Sequence, residues 1–239
     1  MEDLFGWSVA ENCPSALRIL DTEDLPCLRK GRGRALKEGK SFSKAYLFND
    51  IAKREIASIF RCDLSLIISE AEMELLQNEF KIDKALLHYV PFMIASIEET
   101  SQLPKFEERE HFVTIGNFLH EPNYKSVIYL KEHIWPFISK QLPEVKMHVY
   151  GAYSSDKVHQ LHNEKERFLV KGFAEDVNEI MQKSRVCLAP LQFGAGLKGK
   201  LVDAMQNGTP CIMSTIATEG MFSDSDPNGF IEDNTEAFA

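Results

Sequence analysis

The chain has 239 residues, of which 27 are basic and 36 acidic, giving a formal net charge of -9 with 44% hydrophobic content. Such values fit a globular protein of one large or two small domains and exclude a general nucleic-acid binder, because a phosphate backbone demands a positive face. The five cysteines are odd in number, widely spaced and without a CxxC pair, so neither a disulfide framework nor a zinc site is indicated; Cys62, Cys187 and Cys211, beside or within apolar runs, read as buried thiols.

In chain order, residues 1–12 carry Phe5 and Trp7 among acids without periodicity, and these aromatics are expected to pack. Ala16 to Leu20 reads as a strand running into Asp21, Glu23 and Asp24. Ligands gather at strand ends in parallel α/β sheets, so the three carboxylates are acceptor-side candidates, with helix capping and solvation as the plain alternative. Residues 29–44 hold Arg29, Lys30, Arg32, Arg34, Lys37, Lys40 and Lys44 with three glycines. They read as a solvated flexible loop, or else as a patch for an anion or a membrane surface. The spacing of Leu47, Ile51, Ile56 and Ile59 predicts an amphipathic helix from Ser43 to Phe60. Asp63 to Ile68 reads as a buried strand, Ser69 to Glu72 as a capping box opening the next helix, and Ala85 to Val90 as a third strand. Residues 91–110 break the pattern with Glu98, Glu99, Pro104, Glu107, Glu108 and Glu110. An interdomain linker at 96–110 then separates a first domain at 1–95 from a second at 111–239.

A new series of strands and helices follows. His111 to Ile115 reads as a strand ending at Gly116 and Asn117, and Pro122 to Ile138 as a helix with Val127, Leu130, Ile134 and Phe137 on one face. Val145 to Tyr150 is the next strand, then a polar helix from about Ser154 to Asn163, a strand from Arg167 to Lys171 and a short helix from Asp176 to Gln182. Strand after strand ends at a glycine (Gly116, Gly151, Gly172), as a nucleotide cleft requires. His120, beside the first of these turns, is the histidine best placed to face a ligand and joins the acceptor-side candidates, although a lone loop histidine is commonly a surface residue.

The chemistry concentrates in Leu188 to Gly208, which reads as strand, glycine loop, helix and then a second apolar run at Pro210 to Met213. Gly194, Gly196 and Gly199 let the backbone approach a ligand, and the new helix aims unpaired N–H groups and its positive dipole end at whatever lies there. Lys198 and Lys200 add two cations, and Asp203, one turn further in, can accept hydrogen bonds from sugar hydroxyls. A nucleotide diphosphate joined to a sugar satisfies all of these. Two patterns overlay the same residues. Gly194, Gly196 and Gly199 match the dinucleotide fingerprint, with Glu219 as its acid, and Gly194 to Lys200 matches a P-loop save that Leu201 replaces the hydroxyl residue. The bland alternative is a glycine turn that lets a helix pack on a sheet.

These residues carry a resemblance. Ile115 to Phe118 with Pro122 and Asn123, Val149 to Gly151, Lys171 to Phe173, Ala189 to Leu191, Gly194 to Lys200, Asp203 to Met205, Gly208 to Pro210 and Thr218 to Gly220 stand in the order and spacing of the donor-binding domain of family 4 GT-B glycosyltransferases, the "glycosyl transferases group 1" type. The likeness covers about residues 111–232. Residues Leu20 to Leu25 and Cys62 to Glu72 resemble, less specifically, the end of the acceptor domain. The resemblance implies an α/β fold of two Rossmann-like domains and transfer of a sugar from a nucleotide-sugar donor with retention, without cofactor or obligatory metal. The acceptor, a glycan, lipid or protein, is left open. It also implies a diphosphate near Gly116, Asn117, Gly194, Gly196, Lys198 and Gly199, with Lys200 assisting the leaving group. Asp203 would contact ribose or sugar, and Glu219 and Gly220 would lie by the donor. The chain departs from the pattern at Ala195, where the first of two glutamates is usual, at Asn117, where arginine is common, and at Pro26, where histidine is common.

A Rossmann-like domain needs about five or six strands, and the first part offers three, without the expected glycine-rich turn near its start. The chain also stops inside a beginning helix. Both the first domain and the end of the second are therefore expected to be incomplete, and a non-catalytic nucleotide-sugar-binding fragment or module stands beside the transferase as the alternative, with a dinucleotide-dependent oxidoreductase behind it. No signal peptide or membrane-spanning run is visible, so a cytoplasmic chain is expected, with peripheral membrane contact left open by the basic run.

Overall fold

The structure is a computed structural model that describes residues 2–94, 103–222 and 227–239. It divides into two units, one of residues 1–94, 193–197 and 219–223, the other of 95–192, 198–218 and 224–239. Within the expected linker, residues 96–102, with Glu98 and Glu99, lie outside the described residues.

The first unit holds α1 (Glu2–Asn12), β1 (Ile19–Asp21), α2 (Pro26–Lys37), α3 (Lys44–Leu47), α4 (Asp50–Arg61), β2 (Leu64–Ile67), α5 (Glu70–Asn78) and β3 (Leu87–Tyr89). Its sheet has the order β1-β2-β3, all parallel. Leu25, Leu28, Leu47, Ile59, Ile67, Leu76 and Leu87 form its core.

Several local expectations give way here. Residues 2–12 are helical, yet Phe5 and Trp7 are 57% and 73% exposed and do not pack. The basic run is mostly helix α2 rather than a flexible loop. Pro26 sits in its first turn, where no backbone N–H is needed. Its glycines face inward: a Cβ on Gly31 would lie 2.5 Å from the Tyr46 carbonyl oxygen, and one on Gly33 would lie 2.9 Å from the Phe193 ring. Glycine there permits close approach, which outweighs its helix-breaking entropy. The helix expected from Ser43 is broken at Asn49, whose side chain caps α4 by accepting from the Ile51 and Ala52 N–H groups. Ser69 caps α5 as expected, but the Glu72 carboxylate does not reach back to complete the box; it accepts from Leu25 and Gly196 instead.

The second unit holds β4 (Glu110–Ile115), α6 (Glu121–Tyr129), a π-helical turn (Leu130–Ile134), α7 (Trp135–Gln141), β5 (Met147–Tyr150), α8 (Asp156–His159), β6 (Phe168–Gly172), α9 (Val177–Lys183), β7 (Ser184–Ala189), α10 (Gly199–Gln206), β8 (Cys211–Met213), α11 (Thr215–Thr218), β9 (Gly229–Ile231) and α12 (Thr235–Phe238). Its six strands are all parallel in the order β6-β5-β4-β7-β8-β9. Leu130, Ile134, Trp135, Ile138, Met147, Val149, Phe168 and Leu188 fill one face.

The single helix expected from Pro122 to Ile138 widens into the π turn just before Pro136, which cannot donate a backbone hydrogen bond and whose ring displaces the carbonyl four residues back. The polar helix expected at 154–163 is only the turn α8. Gly151 is obligatory for a different reason, since a Cβ there would lie 2.2 Å from the Gly116 carbonyl oxygen.

The end of the expected linker is fixed to this unit by Arg109. Its guanidinium, in a residue 2% exposed, donates to the carbonyls of Pro104 (3.0 Å), Met181 (3.2 Å), Ser184 (3.3 Å) and Asn207 (2.8 Å) and to Thr209 Oγ1 (2.9 Å). Arg109→Ala leaves buried acceptors without donors and is expected to cost about 3 kcal/mol in urea unfolding, while Arg109→Lys restores only part because an ammonium lacks the planar fork.

Candidate functional site

In the second unit the sheet dictates where a ligand can enter. β4 and β7 are neighbours, with Phe112 opposite Val186 and Val113 opposite Cys187, but the next strands, β5 and β8, lie on opposite sides of the pair. The connections leaving their C-terminal ends therefore diverge and open a crevice, the usual ligand position in an open parallel sheet. One bank is the turn Gly116–Asn117 with the start of α6. The other is Lys198 and the start of α10.

Lys198 occupies the N-cap position of α10 and is only 8% exposed. Lys200, half-buried in the first turn, donates from Nζ to Asn123 Oδ1 at 2.9 Å. Burial lowers its pKa from 10.5 to about 8; Lys198 pushes the same way, and Cys187 opposes them. Asp203 is half-buried one turn later, and burial raises its carboxyl above the ordinary range. Gly199 is exposed, with nothing within 4 Å of where a Cβ would stand, so packing does not demand glycine there. On the opposite bank, Asn117 Oδ1 accepts from the Leu119 N–H (2.9 Å) and shapes its own turn. His120 holds the N-cap position of α6 without a capping bond from its side chain. Asn123 Nδ2 donates to the Asn117 carbonyl at 3.1 Å. The second unit thus brings together Gly116, Asn117, His120, Lys198, Gly199, Lys200 and Asp203, with Asn123 joining them.

The remaining candidates belong to the first unit. Gly194 offers its carbonyl to Arg32 Nη1 at 2.9 Å, and Arg32 grips Glu219 with two bonds of 2.6 Å. Gly196, at φ +64°, donates its N–H to Glu72 Oε1 (2.7 Å), and a Cβ on it would lie 2.9 Å from Asp24 Cβ. Ala195 is buried in the apolar core of this unit. Gly220, at φ +73°, has Ser69 Oγ 2.5 Å from where a Cβ would be. Asp24 pairs with Arg29 at 2.7 Å, while Asp21 and Glu23 are exposed. Here the groups read as facing a ligand, the Gly196 N–H and the Glu219 carboxylate, are engaged by side chains of the same unit. In the sequence Arg32 is only one charge in a basic run, and Glu72 only half a cap. Among the described residues no group of three or more His, Cys, Asp or Glu side chains is placed to hold a metal ion.

A family profile described as "Glycosyl transferases group 1" matches residues 109–239. A search of curated protein sequences gives no match. Among solved structures, the chain resembles the crystal structure of TarM with a TM-score of 0.67 at 16% identity, over 93% of this chain and 41% of that one. Anabaena Alr3699/HepE, in complex with UDP and glucose, gives a TM-score of 0.61 at 12% identity, covering 97% of this chain and 62% of that one. WaaG, a glycosyltransferase involved in lipopolysaccharide biosynthesis, gives 0.57 at 13%, covering 90% and 61%. The shared property is the fold, that of GT-B glycosyltransferases, and the chain spans 41% to 62% of the length of these structures.

Burial makes folded Lys200 hold its proton less tightly than the unfolded chain does, so between about pH 8 and 10.5 unfolding takes up protons and stability rises with pH. Below pH 8 the full cost of the buried charge is present. Lys200→Met is therefore expected to resist urea better than the parent at pH 7, with the difference shrinking as the pH approaches 10.5. Equal stability at every pH would show that the ammonium is not desolvated.

Proposed function

The chain belongs to the glycosyl transferases group 1 family, and on that premise we propose that it binds a nucleoside-diphosphate sugar in the crevice between β4 and β7 and serves transfer of the sugar with retained anomeric configuration. The observation that carries this reading is the pair of lysines, one buried and one half-buried, at the first turn of α10, where strand order reverses. A helix N-terminus supplies unpaired N–H groups and a positive dipole end, and Lys198 and Lys200 supply two charges. As the bond to the anomeric carbon breaks, negative charge grows on the leaving diphosphate. A desolvated, preset ammonium stabilises that charge more than one in water does, and this is the role of Lys200. The two lysines and the helix end provide the positive charge without an obligatory metal. The half-buried carboxylate of Asp203 accepts from ribose or sugar hydroxyls.

The acceptor class stays open among glycan, lipid and protein, with Asp21 and Glu23 as acceptor-side candidates on the first unit. Exposed Lys30, Arg34 and Lys37 on α2 support peripheral contact of a cytoplasmic protein with an anionic membrane surface. No described helix is long and apolar enough to cross a membrane.

Isothermal titration with UDP-, GDP- and ADP-linked sugars tests the proposal. One donor class is expected to bind, with Lys198→Ala weakening it about tenfold, the scale of one charge-assisted phosphate contact. Folded protein that binds none of them overturns the reading, whereas binding without transfer or hydrolysis assigns the chain to a binding module.

A further inference from the structure

The crevice of the second unit has one member with no assigned role. Asn123, in the first turn of α6, touches three parts of the site. Its Oδ1 accepts from Lys200 Nζ at 2.9 Å, and its Nδ2 donates to the Asn117 carbonyl at 3.1 Å. Its side chain also lies so close to Gly116 that a Cβ there would stand 2.7 Å from its Cγ. One side-chain amide thereby ties the turn after β4 to the helix after β7.

We infer that Asn123 is the positioning residue for Lys200, holding the ammonium on the crevice between Gly116 and α10 so that its remaining N–H donors meet the donor diphosphate. This rests on the reading that a nucleoside-diphosphate sugar binds there. An amide suits the task better than the alternatives. It accepts one of the three N–H groups of an ammonium and leaves two for phosphate oxygens. It does so without the charge of a carboxylate, which would pair with Lys200 and compete with the phosphate. It also fixes a flexible side chain, an entropic cost then already met before the ligand arrives. Gly116 follows from the same arrangement, because any larger residue would displace the amide.

A purely structural Asn123, serving only to hold the Asn117 turn, would leave the titration of Lys200 unchanged. The groups acting on Lys200 are Asn123, Cys187 and Lys198, and only the first is altered in the test. Full-length protein carrying isotope-labelled lysine is followed by NMR at Cε, with the Lys200 signal assigned by its loss in Lys200→Arg. Asn123→Asp, nearly isosteric, is expected to raise the Lys200 midpoint by about one pH unit or more by placing a carboxylate beside the ammonium, and Asn123→Ala to lower it. UDP binding is measured in parallel and is expected to weaken about fivefold or more in both variants, an effect of about 1 kcal/mol. A midpoint unmoved in Asn123→Asp overturns the assignment, and so does unchanged UDP affinity in a protein that binds UDP. If the parent protein binds no nucleotide, the donor reading fails, while the NMR titration still decides whether Asn123 sets the state of Lys200. Should Asn123→Ala not fold, Asn123→Asp alone gives the result.

Discussion

Because β4 leads to β5 on one side and β7 leads to β8 on the other, no connection runs directly across the point between their C-terminal ends. That reversal is a property of strand order, and the rest of the second unit's site depends on it. Parallel strands present their ends on one edge, so the turn at Gly116 and the start of α10 come to face one another although they lie far apart in the sequence. The turn at Gly116 is crowded. Gly151 must lack a side chain because the Gly116 carbonyl occupies the space, and Gly116 must lack one because Asn123 does. Two glycines that look alike in the sequence, each closing a strand, thus answer to different neighbours.

Two cations of this unit show how differently the fold treats a buried charge. Arg109 is surrounded by five acceptors on Pro104, Met181, Ser184, Asn207 and Thr209, and its place is structural. Lys200 has the single neutral amide of Asn123 as its named hydrogen-bond partner, and its pKa falls to about 8. A fold selected for stability alone gains nothing from such a lysine, since an apolar residue of similar length avoids the desolvation cost. Functional sites commonly carry this kind of local destabilisation. Lys200 sits at a helix N-terminus on a sheet switch point, which is where an anion would relieve it.

The strands were legible in the sequence because short apolar runs bounded by glycine, proline or polar turn residues have a local signature. Eight of the nine β-strands seen among the described residues correspond to such runs; the exception is the last, Gly229–Ile231, where the pattern is too short to read. The helix start that carries Lys198, Lys200 and Asp203 was legible because a glycine turn followed by a helix start has a local signature. What was not legible depends on partners distant in the chain. Gly31 and Gly33 looked like loop residues because nothing nearby reveals that one packs on Tyr46 and the other on Phe193. Glu72 completed a capping box in sequence, yet the N–H groups of Leu25 and Gly196 outcompete the one that the box would offer. Asn123 was visible only as part of a family pattern, because its role lies in a bond to a residue 77 positions away.

The same distant contacts separate the patterns that overlaid the glycine loop. In a P-loop the residue after the lysine carries a hydroxyl for magnesium, but position 201 is a leucine with 0% exposure, facing the interior, where a hydroxyl would have no ligand to meet. In a dinucleotide site the first glycine follows the strand at once and an acid closes the next strand. Here β7 ends at Ala189, the first glycine of the pattern is Gly194, and α10 begins only at Gly199. Glu219 lies beyond the end of β8 at Met213, and Arg32 holds its carboxylate by two short bonds. Gly196 needs its positive φ and the close approach of Asp24 for reasons internal to its own unit. The three glycines thus share a spacing with the fingerprint but not its geometry. The part of the loop that places cations at a helix N-terminus is its end, Lys198 to Lys200 at the start of α10.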